Sequence, residues 1–267
     1  SPALDHDGYK LEKIVRQEQD NPIIQASMEV REAKDAKRHS FTPNVKGDQG
    51  VEVAPSRTEL IEKAIEAFDT DLYRRRGDHV RILAYRNDVV ETYNDICRDI
   101  LYDGTDEQFI NGEWLVATDP WYGSDGEEMA PIIQNSEEFV VQGKEPWSLC
   151  EFDAWVLEIS SDPDGGDEVR YIEVLNRDEI DRYDAKLNGL AEKAKQNGNW
   201  DDYYNYKEHF AHVDYSYAMT THKAQGSTFT KTFVDAEDIS TCPNRSEISR
   251  LKYVATTRAS QKLVVFE

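Results

Sequence analysis

The chain has 267 residues, 39% of them hydrophobic, and a formal net charge of −22. That length accommodates one large domain or two smaller ones around a real core. No apolar run in this sequence approaches the ~18–20 residues that span a bilayer, and the charge argues at first sight against a nucleic-acid partner.

The acidity is unevenly placed. Residues 1–102 hold 16 Lys+Arg against 20 Asp+Glu, residues 103–213 hold 8 against 27, and residues 214–267 hold 7 against 6, for nets of −4, −19 and +1. The two flanks can therefore approach phosphates locally. The acidic middle reads as a solvated surface, or as a face that repels DNA or recruits a basic protein partner. Three cysteines, Cys97, Cys150 and Cys242, lie far apart. Their odd number points away from a disulfide framework and toward a reducing cytosol. The start, Ser1-Pro2-Ala3-Leu4-Asp5-His6-Asp7, has neither the pattern of a signal peptide nor an initiator Met. The chain is expected to be a piece of something longer.

Residues 9–38 read as one or two helices, with Asp20 as a cap and Asn21-Pro22 in the first turn. Residues 39–55, with Pro43, Gly47 and Gly50, read as a loop. Ser56-Arg57-Thr58-Glu59 is a capping-box pattern, and Leu60, Ile61, Ala64, Ile65 and Phe68 give a helical stripe. Arg74-Arg75-Arg76-Gly77-Asp78 reads as a turn. Val80-Arg81-Ile82-Leu83-Ala84-Tyr85 predicts an apolar strand, and Asn87 or Asp88 caps a helix with Val89, Tyr93, Ile96 and Ile100 on one face. This strand–loop–helix unit is of the kind that builds α/β sheets.

The character changes near Asp103. Short β-like runs follow at 113–118, 138–142, 152–159 and 168–175, separated by turns such as Asp162-Pro163-Asp164-Gly165-Gly166-Asp167, and predict a small barrel. Trp114, Trp121, Trp147 and Trp155 are assigned to its core. Residues 178–211 look helical. There Trp200, Tyr203 and Tyr206 stand at a spacing that fits a core or an inter-domain contact as well as base stacking. His209 and His212 lack a third ligand, so no metal site is assigned. The α/β pattern then resumes with strands at 213–219, 232–235 and 263–266 and a helix at 247–257.

A phosphate-cradling loop needs Gly-x-x-x-x-Gly-Lys-Ser/Thr after a strand. The nearest candidate, Gly226-Ser227-Thr228-Phe229-Thr230-Lys231-Thr232, has Lys where the second Gly must stand. No acidic pair follows an apolar strand as a Mg²⁺ site requires. The chain alone is therefore not expected to hold Mg-ATP. The segment 215–228 reads instead as a strand entering a polar loop that opens a short helix. Thr221, His222, Lys223, Gln225, Ser227 and Thr228 set donors around Gly226, which suits phosphate oxygens. From composition alone, an ordinary polar turn is the simpler reading.

Thr220-Thr221-His222-Lys223-Ala224-Gln225-Gly226-Ser227-Thr228 resembles motif V of superfamily-one helicases of the RecD and Dda kind. Leu251-Lys252-Tyr253-Val254-Ala255-Thr256-Thr257-Arg258-Ala259 resembles their motif VI, in the family's order and spacing. Leu11-Glu12-Lys13-Ile14-Val15-Arg16-Gln17, with Asp20-Asn21-Pro22-Ile23, is similar to motif IV. Ala84-Tyr85-Arg86-Asn87-Asp88-Val89-Val90, with Asn94, is similar to a strand-end segment that contacts single-stranded DNA in that family. The family has Thr where Arg86 stands, so the resemblance assigns Arg86 no role.

The resemblance implies an α/β fold. It would be a RecA-like parallel-sheet domain interrupted by a small SH3-like β-barrel with a helical extension. The first part of the RecA-like domain would be 1–102, the insertion 103–212 (barrel 103–175, extension 178–211), and the remainder 213–267. It implies that Arg16 and Arg258 reach the γ-phosphate of ATP across a cleft, a role suited to a permanently charged fork of donors. Gln225, Gly226 and Gln17 would couple nucleotide to DNA. Thr221, His222, Ser227, Thr228, Asn87 and Asn94 would contact the strand. The implied cofactors are ATP and Mg²⁺, held mainly by an N-terminal RecA-like domain absent from this sequence. The implied partners are single-stranded DNA and that domain, with movement 5′ to 3′, no membrane, and a cytoplasmic setting in a bacterium or phage-infected host. The competing reading is a stand-alone acidic interaction module without ATPase activity.

Overall fold

Asn21 starts the first helix. Its side chain accepts the Ile23 amide at 3.0 Å, and Pro22 takes the first helical position, where its missing N–H leaves nothing unpaired. The expected cap, Asp20, lies outside the residues described by this computed structural model, which are 21–33, 35–123, 130–164, 166 and 168–267. Arg16, Gln17 and the early part of the first predicted helix also lie outside them.

In chain order the elements are α1 (Pro22–Glu32), β1 (Asn44–Lys46), β2 (Gln49–Ala54), α2 (Arg57–Phe68), α3 (Asp71–Arg75), β3 (Val80–Ala84) and α4 (Asn87–Leu101). Next come β4 (Trp114–Ala117), β5 (Glu138–Leu149), β6 (Phe152–Ser160), β7 (Arg170–Leu175), α5 (Ile180–Asn197) and α6 (Asp201–Lys207). The last are β8 (Val213–Tyr215), β9 (Ala218–Thr220), β10 (Phe229–Asp235), α7 (Ala236–Ile239), α8 (Arg245–Arg258) and β11 (Ala259–Phe266). The chain divides into two compact units, one of Ser1–Glu62, Arg81–Val90 and Thr220–Glu267, the other of Lys63–Val80 and Glu91–Met219.

The first unit is built on the strands β1, β2, β11, β10 and β3, in that order within a six-stranded sheet. β2, β11 and β10 run parallel, with Leu263 opposite Val51 on one side and Thr232 on the other. Parallel strands need cover on both faces, and Val51, Phe233, Val234, Leu263, Val264 and Val265 are all buried. The sheet is thus the expected α/β type. The predicted loop at 39–55 instead carries the β1–β2 hairpin. Gly47 lies in its turn, and Gly50 sits in β2 opposite Val45. At Gly50 (φ +123) a Cβ would stand 2.2 Å from the Asn44 carbonyl oxygen, so the paired strands can approach only with glycine there. Ser56 accepts the Glu59 amide at 3.1 Å and opens α2 as its capping pattern predicts. The predicted turn at Arg74–Asp78 is occupied by the end of α3 and a 3-10 turn, Gly77–His79, with Thr70 capping α3 through the Tyr73 amide.

The second unit holds an antiparallel sheet of order β7-β6-β5-β4-β8. Leu115, Phe139, Val141, Leu157, Ile159 and Ile172 form its core. Trp114 and Trp121 are buried and Trp155 packs against the core, but Trp147 is 48% exposed, beyond the span of sheet that the core covers. A second cluster joins Phe152 and Ala154 of β6 to Tyr183, Tyr206 and Phe210. Tyr183 stacks on Tyr206 at 4.9 Å, and its hydroxyl donates to the Tyr206 carbonyl at 2.6 Å. Tyr206 is therefore a core residue. Burial pushes the Tyr183 hydroxyl well above its ordinary pKa, so it remains a donor at any physiological pH.

The second unit takes in more chain than the expected insertion, because buried polar and aromatic contacts recruit its neighbours. Arg98 Nε of α4 lies 3.0 Å from Glu113 Oε1, the Tyr217 hydroxyl donates to the same oxygen at 3.0 Å, and the Arg98 guanidinium sits 4.7 Å over the Tyr215 ring. Tyr73 and Ser216 share a hydroxyl–hydroxyl bond of 3.3 Å, and Phe68 meets Tyr217 edge-on. The run 213–219, predicted as one strand, is two. β8 pairs with β4, and β9 belongs to the six-stranded sheet. Between them Ser216 and Tyr217 are buried, with the Ser216 amide donating to Trp114 O.

Candidate functional site

The end of β3 organises the site, which lies within the first unit. All five residues of β3 are buried, so the strand end has one fixed position. The Ala84 carbonyl there receives both the amide and the hydroxyl of Thr221, at 2.8 and 3.0 Å. Thr221 is fully buried by this clamp. Its expected contact with DNA is corrected accordingly, since it fastens the loop to the sheet and presents no donor outward.

From Thr221 the chain makes successive turns, with Ala224 N bonded to Thr220 O, Gln225 N to His222 O and Ser227 N to Ala224 O. The expected short helix does not form. Gly226 adopts φ +107 and breaks helical progression. The buried Ala224 anchors the loop, while His222, Lys223, Gln225, Gly226 and Thr228 are exposed and Ser227 is half-buried. His222 Nε2 lies 3.1 Å from Glu247 Oε1 of α8, and its ring lies 5.9 Å from that of Tyr85.

Arg258 ends α8 directly behind this loop. Its guanidinium donates to Ser227 O at 2.9 Å and Ala224 O at 3.4 Å, and to Val254 O at 3.2 Å within the helix. The side chain is only 6% exposed. The structure thus brings Arg258 together with the carbonyls of Ala224 and Ser227, which flank Gln225 and Gly226 in the chain. It does not show Arg258 extended into solvent.

On the other side of Ala84, Arg86 precedes α4 and Asn87 is its first residue, both exposed. Asn94, two turns later, does not share their surface. It is 5% exposed, and its Oδ1 accepts the Ala218 amide at 2.7 Å in the second unit. Its expected phosphate contact is corrected, because a buried amide that satisfies a buried N–H has no free face. Asn94→Ala is expected to cost about 1–3 kcal/mol of stability and to leave the salt dependence of any DNA binding unchanged. Urea unfolding and a salt titration check the two halves.

Sequence reasoning missed two carboxylates. Asp238 is buried and accepts three donors, Tyr85 N at 2.7 Å, Arg86 N at 3.0 Å and Arg86 Nε at 2.7 Å. Asp235, at the end of β10, accepts the Asp238 amide at 2.8 Å and Arg57 Nε at 2.9 Å. The detectable signal was the Asp235-x-x-Asp238 spacing of a helix cap. Its partners, some 150 residues away in the chain, were not. With an arginine on each, neither carboxylate is disposed as a metal ligand, and no cluster of three or more metal-ligating side chains occurs among the described residues.

Residues 215–266 match the UvrD-like helicase C-terminal domain. The ATP-dependent DNA helicase Dda of Enterobacteria phage T4 is 26% identical over 290 aligned positions, which take in 97% of this chain and 62% of that protein. An uncharacterised protein of Acanthamoeba polyphaga mimivirus is 29% identical over 108 residues, 36% of this chain and 22% of that one. The chain therefore spans less than two thirds of either relative. Among solved structures, a Pif1 helicase from Bacteroides bound to ADP-AlF3 and ssDNA aligns with 95% of this chain and 50% of its own length. The TM-score is 0.44 at 13% identity, too loose a likeness to argue from.

Proposed function

We propose, from the premise that the chain is similar to the C-terminal portion of superfamily-one helicases, that it is the second motor half of an ATP-dependent DNA helicase moving 5′ to 3′. The supporting observation is the bond set of Arg258, which ties the end of α8 to the carbonyls of Ala224 and Ser227. A group that senses nucleotide through Arg258 is thereby joined to a loop that exposes His222, Gln225 and Thr228. In this reading Arg258 and Arg16 act on the γ-phosphate, and Gln225, Gly226 and Gln17 relay the state of the cleft. His222, Ser227, Thr228 and Asn87 hold single-stranded DNA. The antiparallel sheet with its Leu115–Ile159 core supports the reading of 103–175 as an SH3-like barrel.

The residues present do not form a whole Mg-ATP site. No glycine-rich phosphate loop occurs in the sequence, and Asp235 and Asp238 are each bonded by arginine. Bound ATP would supply the phosphoanhydride whose hydrolysis drives movement. This chain would supply a guanidinium and the loop behind it, with the remaining contacts coming from an N-terminal RecA-like domain. The chain alone is therefore expected to bind oligothymidylate weakly and to release no phosphate from ATP. Turnover of ATP by the isolated chain in response to DNA would overturn this division of labour.

The net of −19 over residues 103–213 favours a second reading, an acidic module that binds a basic protein and has no ATPase partner. A Gly-Lys-Ser/Thr loop and an acidic strand end encoded upstream of Ser1 would end it.

A further inference from the structure

Arg86 stands where the strand ends and helix α4 begins, and its side chain is held rather than loose. Asp238 takes its Nε at 2.7 Å while binding the backbone amides of Tyr85 and Arg86. One carboxylate thus fixes both the direction of the guanidinium and the path of the chain that carries it. Asp238 is itself anchored, through its amide, to Asp235, which Arg57 braces. Despite this grip the Arg86 side chain is 49% exposed. NH1 has only a long contact with Asp88 Oδ2, 3.5 Å, and NH2 has no hydrogen bond among the described residues. Asn87 is exposed beside it at the first turn of α4.

A guanidinium held by Nε in a half-exposed side chain, with NH1 only loosely engaged by Asp88, offers a pre-aligned fork of donors to an anion. We infer that Arg86 is a phosphate contact for single-stranded nucleic acid and that Asp238 is its positioning residue. The long Asp88 contact is the one a phosphate would displace. Asp238 would stay in place, because its loss would leave two backbone amides and a buried carboxylate without partners. This inference rests on the DNA-binding reading above and adds to it a charged contact at a position for which the resemblance assigns no role.

The test is fluorescence anisotropy of labelled oligothymidylate with the 267-residue chain over a range of salt, for wild type, Arg86→Ala, Asp238→Asn and the double variant. Arg86→Ala is expected to weaken binding roughly tenfold and to lower the salt slope by about one ion. Asp238→Asn is expected to weaken binding in the wild-type background and to have no further effect once Arg86 is alanine, the signature of a residue acting through another. A purely structural role would lower affinity equally in both backgrounds, and that result overturns the positioning assignment. If Arg86→Ala binds with wild-type affinity and slope, the phosphate contact is wrong while the DNA-binding reading stands. If the wild-type chain shows no binding at low salt, both fall.

Discussion

Replacing Arg258 with alanine in the intact protein is expected to lower DNA-stimulated ATP turnover by about 10³–10⁵-fold, the range an arginine finger contributes to phosphoryl transfer. The expectation follows from the proposed role and from where the structure puts the side chain. The guanidinium is buried behind the 220–228 loop and bonded to Ser227 O and Ala224 O. Its removal therefore takes away a charge and also frees two loop carbonyls. Arg258→Lys separates these effects. Lysine keeps the charge, but as a single point it cannot reach Val254, Ala224 and Ser227 together. If charge alone matters, lysine restores most of the turnover. If the fork that links helix to loop matters, lysine stays near alanine while nucleotide binding persists. Near-wild-type turnover in Arg258→Ala would remove this residue from the mechanism.

Breaking the buried pair in the second unit is expected to have the largest effect on stability. Arg98→Met strands the Glu113 carboxylate, whose Oε2 already lacks a hydrogen-bond partner, and should cost about 3–5 kcal/mol near neutrality. Glu113→Gln should cost clearly less. Arg98 would keep the Glu107 carbonyl and the face of Tyr215. Burial has moreover pushed the Glu113 carboxyl above its ordinary pKa, outweighing the pull of Arg98, so a neutral group is tolerated there. A carboxyl with a raised folded-state pKa contributes its full stabilisation below the unfolded pKa and loses it as pH rises through the folded pKa. The Arg98→Met deficit is thus largest at neutral pH and narrows toward the carboxylate range, where the stranded Glu113 takes up a proton. Urea midpoints of both variants, near neutrality and roughly two pH units lower, check the order and its drift. Greater damage from Glu113→Gln than from Arg98→Met would reverse the assignment.

Elements whose signal is local were legible in the sequence. The α2 stripe with its Ser56 cap, the β-like run at 152–159 and the apolar β3 all appear close to where the sequence put them. Elements defined by a distant partner were not. β2 is a strand because β11 lies beside it, and nothing within 39–55 announces that. The run 213–219 carries one apolar pattern but serves two sheets, a division created by Trp114 O and Glu113 rather than by any turn residue. In the candidate site the motif located the loop, yet it could not tell outward donors from inward ones. Thr221 and Asn94 look like phosphate ligands by type and prove to satisfy a backbone carbonyl and a backbone amide. Asp238 was invisible for the same reason, since its meaning lies in Tyr85 and Arg86.

Gly226 carries a last consequence. With φ at +107 it occupies backbone space that side chains of L configuration rarely enter, yet no atom lies within 4 Å of where a Cβ would stand. Within this chain, smallness is therefore not what the position requires. It requires freedom of handedness, so a D-alanine installed there by chemical synthesis would meet the backbone demand, whereas an L side chain there would be strained.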